Sequence, residues 1–203
     1  MFEITSKGSL IRAMAIALLC AAILSMGLVP RASGSEFDKK TIVTFSAPVE
    51  IPGKVLPAGT YVFKLLDSAG NRNIVQIFDK DEKKLYATIL AIPDYRMKPS
   101  DKPIITLEER PSGSPEAIHA WFYPGDNFGQ EFVYPHNRAV ELAKRTNHNV
   151  LSMSNDMARN ITAQAKSASD ASVQAMEKTE VTGVNPSGQE IELIVVVSPT
   201  AVN

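Results

Sequence analysis

Between residues 40 and 134, apolar and polar positions alternate in short runs broken by Pro, Gly, Asn and Asp, which is the pattern of antiparallel strands. "KTIVTFS" at 40–46 opens the series. "GTYVFKLL" from Gly59 sets Tyr61, Phe63 and Leu65 on one face and Thr60, Val62 and Lys64 on the other. "NIVQIFD" at 73–79 and "KLYATILAI" at 84–92 flank the charged turn "DKDEK", with an earlier turn from Ser68 to Asn71. Residues 93–103, "PDYRMKPSDKP", carry three prolines and are expected to form the longest loop of the β region, because proline has no donor for a strand ladder. "IITLEE" from Ile104 and "EAIHAWFY" from Glu116 resume strand character. In the latter, alternation sets Ala117, His119, Trp121 and Tyr123 against Ile118, Ala120 and Phe122.

After Pro135 the period becomes helical. Asn137 is the candidate cap, Ala139, Leu142, Ala143 and Thr146 share a side, and Glu141 precedes Arg145 by four residues. Met153 to Met176 is rich in Ala, Ser, Asn, Asp and Gln and predicts a polar helix with a narrow apolar stripe through Met157 and Ile161. "KTEVTGV" and "QEIELIVVVS" around Asn185-Pro186-Ser187-Gly188 predict a terminal hairpin. No helix-length segment separates the first strands. The fold class expected is therefore mainly β: an antiparallel two-sheet β-sandwich of about eight strands, then one or two helices and a C-terminal β-hairpin.

The N-terminus differs from all of this. Lys7 and Arg12 precede an apolar run from Ala13 to Val29, then Pro30 and small residues, the layout of a secretory signal. Small side chains at Ala32-Ser33-Gly34 and Ser33-Gly34-Ser35 place the mature start near Ser35 or Glu36, with Glu36 preferred. An uncleaved anchor helix is the alternative, at the short end of the roughly 17 to 25 residues a span needs. The expected division is a signal peptide over 1–35, a β-sandwich domain over 36–150, and a polar helix plus hairpin over 151–203. The location expected is secreted or periplasmic, with no stable membrane span after cleavage.

Of 21 Lys and Arg, Lys7, Arg12 and Arg31 lie in the first 35 residues, and of 22 Asp and Glu only Glu3 does, so the remainder carries a formal charge near −3. That removes the electrostatic footprint of nucleic-acid binding. The single cysteine, Cys20, falls inside the signal, so the exported chain stands on packing without disulfides.

Candidate chemistry is sparse. His119, His136 and His148 are far apart and show no two-histidine helix spacing, so no metal site and no cofactor are expected. Asp79, Asp81 and Glu82 cluster in a turn, but the interspersed Lys80, Lys83 and Lys84 make it a solvated hairpin and not a calcium loop. Without a Gly-x-Ser-x-Gly elbow or a cysteine after Cys20, nucleophilic catalysis has no obvious seat, and no catalytic residue is assigned. Glu108, Glu109, Asp126 and Glu131 are the carboxylates available for acid–base work.

"WFYPGDNFGQEFVY" at 121–134 holds six of the fourteen aromatic residues. "PGDN" reads as a turn between two arms. Alternation then divides the rings between two faces, with Phe122 opposite Trp121 and Tyr123, and Phe128, Phe132 and Tyr134 sharing parity. One set can fill the sandwich and the other can lie beneath the helix after Pro135 or line a binding surface. The binding candidates are Trp121, Tyr123, Asp126, Asn127 and Gln130, rimmed by Tyr95 and Arg96, where rings and amides can take a carbohydrate or an apolar ligand.

"VTFSAPVEIPGKVLPAGTYVFKL" from Val43, "VQIFDKDEKKLYATILAIPDYR" from Val75 and "AWFYPGDNFGQEFVYP" from Ala120 resemble, in this order, blocks of a group of secreted bacterial proteins with no established function. The resemblance covers roughly residues 38–148. It implies export and a β-rich domain, and it carries no activity over. In "LPAGTY", Pro57 fixes a turn, Gly59 is able to take positive φ, and Thr60-Tyr61 begin a strand.

Two functions are weighed on these grounds. The first is an exported, non-catalytic protein that binds a ligand, a surface polymer or an envelope protein. The alternative is a cell-envelope hydrolase using carboxylates near the aromatic turn. The nearly uncharged run Ile191 to Val197 would be an aggregation-prone edge if left open, and self-association through it is expected if no other strand pairs with it.

Overall fold

The computed structural model describes residues 39–66, 73–108, 113–161 and 167–193. They form a mainly β fold with two sheets, short helices and a C-terminal hairpin. The large sheet contains β1 (Lys40–Phe45), β2 (Val49–Ile51), β3 (Lys54–Leu56), β4 (Gly59–Leu65), β5 (Ile74–Asp79), β6 (Leu85–Tyr95), β7 (Ile104–Glu108), β8 (Glu116–Phe122) and β9 (Phe128–Phe132). Its strands run in the order β1-β4-β5-β6-β9-β8-β2-β3, with β7 on the other edge of β8.

The two layers of the sandwich share one strand. The first half of β6 pairs with β5 from Ile74↔Leu90 to Phe78↔Leu85, and its second half pairs with β9 from Ala91↔Phe132 to Tyr95↔Phe128. Phe63 of β4 consequently meets Trp121 of β8 and Phe132 of β9 across the interior, with ring centroids 6.0 and 6.5 Å apart. Trp121 Nε1 donates to Thr41 Oγ1 of β1 at 3.1 Å. The indole is thereby buried with its one polar atom bonded, as a core tryptophan requires.

Three departures from the pattern matter. Residues 93–95 continue a central strand where a loop was expected. Ala91 N donates to Asn73 O on the β5 side; Pro93, two residues on, lies beyond Ile74↔Leu90, the last pair of the β5–β6 ladder among the described residues, while its other side pairs with β9 at Gln130. Next, "VEIPGKVL" forms the β2–β3 hairpin around Pro52 and Gly53, whose φ of +85° suits the turn. Gly59 shows no positive φ; it is extended, and the Tyr61 ring lies 3.5–3.7 Å from where a Cβ would stand. Finally, β2 runs parallel to β8 at Val49↔Glu116 and Glu50↔Ala117, so the pairing is not antiparallel throughout.

The second sheet orders β10 (Tyr134–Pro135), β11 (Val150–Met153), β12 (Thr182–Val184) and β13 (Glu190–Ile191). Helix α1 (His136–Thr146) connects β10 to the parallel β11 and packs on this sheet through Ala139, Leu142 and Ala143. Its first residue is His136, and the carboxamide of Asn155, not Asn137, caps it by accepting from Asn137 N at 3.0 Å. Asn147 ends it in the left-handed region at φ +59°. The expected ion pair Glu141–Arg145 forms at 2.7 Å.

The stretch expected as one polar helix is instead a 3₁₀ turn (Asn155–Met157), α2 (Ala158–Ile161) and α3 (Ala171–Glu177), which lay Ile161, Val173 and Met176 into the core. The small sheet thus joins residues on both sides of position 150. The terminal hairpin is present as β12–β13; Asn185 Oδ1 closes its turn by accepting from Gln189 N at 2.9 Å. Of the run Ile191 to Val197, residues 194–197 lie outside the described residues, as does the Ser68–Asn71 turn.

Candidate functional site

The aromatic block is a hairpin whose two faces lead to two distinct clusters. Pro124 and Gly125 (φ +83°) make the turn, and Asp126 N donates to Tyr123 O at 3.3 Å. On the face toward the interior, Trp121 is 2% exposed and Phe132 is enclosed beside Phe63. Trp121 therefore belongs to the core and presents no ring to a ligand. Tyr134 leaves the large sheet, and its hydroxyl donates to Ile118 O at 2.8 Å.

Tyr123 is half-buried with Lys39 Nζ 5.9 Å over its ring, and Lys39 also pairs with Asp126. Beyond them, Tyr95 and Phe128 sit opposite each other on β6 and β9 with centroids 4.1 Å apart, and remain 63% and 47% exposed. Gln130 stands in register with both Trp121 and Pro93, and its Oε1 is buried with no hydrogen-bond partner among the described residues. Asn127 contributes its carbonyl to Arg96 N at 2.8 Å.

Phe122 takes the other face, where it is buried against Gly129 and Arg96. The ring lies flat on Gly129, and the Arg96 guanidinium stands 5.2 Å above it. A Cβ on Gly129 would come within 2.4 Å of that ring. Gly129→Ala is expected to cost about 1–3 kcal/mol by forcing the ring out of place, read as a lowered midpoint in urea; an unchanged midpoint would show that Phe122 can turn away freely. Arg96 is thus separated by strand alternation from Tyr95, its expected partner on the rim.

The second cluster was not legible in the sequence. Thr106 pairs with Ala120 and Leu107 with Ile118, so His119 is the extra residue of a β-bulge in β8. The bulge turns His119 onto the face opposite Trp121, correcting the simple alternation. There its Nδ1 lies 2.9 Å from Glu108 Oε1 and its Nε2 4.0 Å from Glu131 Oε1. His148, from the loop after α1, places Nδ1 3.3 Å from Glu108 Oε2. Leu107, Glu108, His119, Arg145, Thr146 and His148 line a shallow groove here. His136 is elsewhere, with Nδ1 3.2 Å from Ser152 Oγ.

Charge at this cluster is shared unevenly. The hydrogen bond to Glu108 raises the His119 pKa against the opposing effect of burial, and the same bond lowers that of Glu108. Burial raises Glu131, and the negative charges of Asp94 and Glu108 add to the effect although His119 opposes it. Asp94, His119 and Glu131 each bring one ligand-type atom within 4.8 Å of the others.

The acidic turn holds no comparable group. Asp79 Oδ1 accepts from Lys83 N and Lys84 N at 2.7 and 3.0 Å, while Glu82 pairs with Lys40. Among the described residues no helix is long and apolar enough to cross a membrane. No family model, curated protein or solved structure matches this chain.

Proposed function

We propose that this is an exported, non-catalytic binding protein whose ligand surface is the Tyr95–Phe128 end of the sandwich, and that the ligand is a saccharide chain. The observation that carries the reading is the exposed ring pair at 4.1 Å. Large apolar side chains elsewhere are mostly enclosed, whereas these two rings stand open beside Tyr123, Asp126, Asn127 and Gln130. Aromatic faces cover the apolar face of a sugar ring, and carboxylate or amide groups at the rim take its hydroxyls. Export rests on Lys7, Arg12 and the apolar run from Ala13 to Val29.

The hydrolase reading finds less support. Asp126 is engaged by Lys39, and Glu131 points toward His119 on the other face of β9, so these carboxylates do not flank one cleft.

Calorimetry or affinity electrophoresis with soluble envelope polysaccharides tests the proposal. Tyr95→Ala with Phe128→Ala is expected to weaken binding by roughly tenfold or more, while the unfolding midpoint moves less than for a core substitution because neither ring is buried. Binding unaffected by the double substitution, or none to any polysaccharide tried, would overturn it.

A further inference from the structure

We infer that Asp94, His119 and Glu131 form a binding site for a divalent first-row transition-metal ion, with Glu108 as the outer partner that orients His119. The inference is independent of the saccharide surface.

Three adjacent strands build the site. Glu131 of β9 stands opposite Ile92 of β6 and Ala120 of β8. Asp94 lies two residues along from Ile92 and so shares its face, and the bulge in β8 swings His119 onto that face beside Ala120. Bulges recur where a strand must re-aim a functional side chain. A regular β8 would have sent His119 into the core side with Trp121.

The ligand geometry fits one small ion. Two donor atoms bound to one such ion at about 2.0–2.2 Å lie at most about 4.4 Å apart. The 4.0 Å between His119 Nε2 and Glu131 Oε1 lies inside that bound but is wider than the roughly 3.4 Å of a tetrahedral pair, so these two atoms draw together as the ion enters. The spread in the trio, up to 4.8 Å, exceeds that bound, so binding requires a carboxylate to turn inward.

The outer contact points the same way. Nδ1 of His119 faces Glu108 at 2.9 Å, so the imidazole proton is held there and the Nε2 lone pair is left toward Asp94 and Glu131. A metal-bound histidine characteristically donates its other nitrogen to a carboxylate in this manner. Glu108 is itself buried and steadied by His148. Glu108 and Glu131 contact His119 from two sides and Asp94 stands within 4.8 Å of the trio's other ligand atoms, so oxygen donors surround the imidazole.

Ligand type narrows the ion. One imidazole and two carboxylates, without thiolate, suit Zn²⁺, Mn²⁺ or Fe²⁺. Ca²⁺ needs about 6–8 oxygen ligands, which two carboxylates and a nitrogen do not supply.

The purified protein, stripped with a chelator, is to be titrated calorimetrically with Zn²⁺, Mn²⁺ and Ca²⁺. One Zn²⁺ or Mn²⁺ per chain is expected, with Ca²⁺ much weaker. His119→Gln and Asp94→Asn should each lower affinity by at least about tenfold, and Glu108→Gln by about 10–100-fold with the stoichiometry kept at one. Circular dichroism confirms that each variant is folded, and Asp94→Asn, at a partly exposed position, keeps the test usable if a more buried substitution unfolds the chain. Failure of wild type to take up Zn²⁺ or Mn²⁺, uptake that survives both His119→Gln and Asp94→Asn, or equal affinity for Ca²⁺ would overturn the assignment.

Discussion

Trp121→Ala is expected to lower stability by about 3–5 kcal/mol, the range for deleting a buried tryptophan or phenylalanine without full collapse of the space left behind. The indole lies between the layers, against Phe63, at a point where strands β1, β4 and β8 meet. Its loss removes apolar burial and takes from Thr41 Oγ1, itself buried, the donor at 3.1 Å. Trp121→Phe separates these two effects. Most of the ring volume remains while the hydrogen bond goes, so a cost of about 1–2 kcal/mol is expected. Urea unfolding followed by far-UV circular dichroism measures both, since the alanine variant has no tryptophan fluorescence. If Trp121→Ala cost less than about 1 kcal/mol, far below the core range, the two layers would not enclose the indole. As the sole tryptophan it also reports the wild-type transition, from buried emission to solvent-exposed emission.

Much of the fold was legible because period is a direct imprint of burial. β1, β4, β5, β7 and β8 fall within a residue or two of the runs beginning at Lys40, Gly59, Asn73, Ile104 and Glu116. Ala139, Leu142 and Ala143 were readable as the buried stripe of α1. What escaped notice was too short or too contextual for a period. β2 and β3 have three residues each, and β11 has four, enclosed by neighbours on every side. Pro93 argued for a loop because a strand's tolerance of proline depends on which side its missing donor faces, a fact of pairing and not of composition.

The candidate sites show the same limit. Tyr95, Tyr123, Asp126, Asn127 and Gln130 do gather around the hairpin turn, yet Trp121 is lost to the core and Arg96 to the cover of Phe122. Phe128 supplies the second, tilted ring that was missing from the binding candidates, although its parity was readable. The His119 cluster was not legible as a cluster, although Glu108 and Glu131 were readable singly as carboxylates and His119 and His148 as histidines. Its members come from separate strands and from the loop after α1, and one unpaired residue in β8 decides the face on which His119 stands. A bulge leaves no mark in an alternating run until the partner strand is known.

The ion pair between Glu50 and Arg138 carries the second large effect. Glu50 sits at the middle of β2 with its carboxylate buried, and Arg138, in the first turn of α1, reaches it through Nε and Nη2 at 2.5 Å each. This fork fastens the helix of the small sheet to strand β2 of the sandwich, and the bond to Glu50 holds the Arg138 pKa further above its already high value. Removing the guanidinium leaves a buried carboxylate without its bidentate partner. Arg138→Ala is expected to cost about 2–4 kcal/mol, somewhat under the range for a fully buried pair because Arg138 is partly solvated. Glu141→Ala, at a half-exposed position bonded to the same arginine and to Arg145, should cost at most about 0.5 kcal/mol. The decisive comparison is Glu50→Met with Arg138→Met, in which apolar chains of similar length replace both charges. If desolvation of Glu50 is the source of the penalty, the double variant recovers most of the stability lost in Arg138→Ala. A double variant as unstable as Arg138→Ala would instead place the arginine's contribution in the fixed geometry of its two hydrogen bonds, which methionine cannot reproduce.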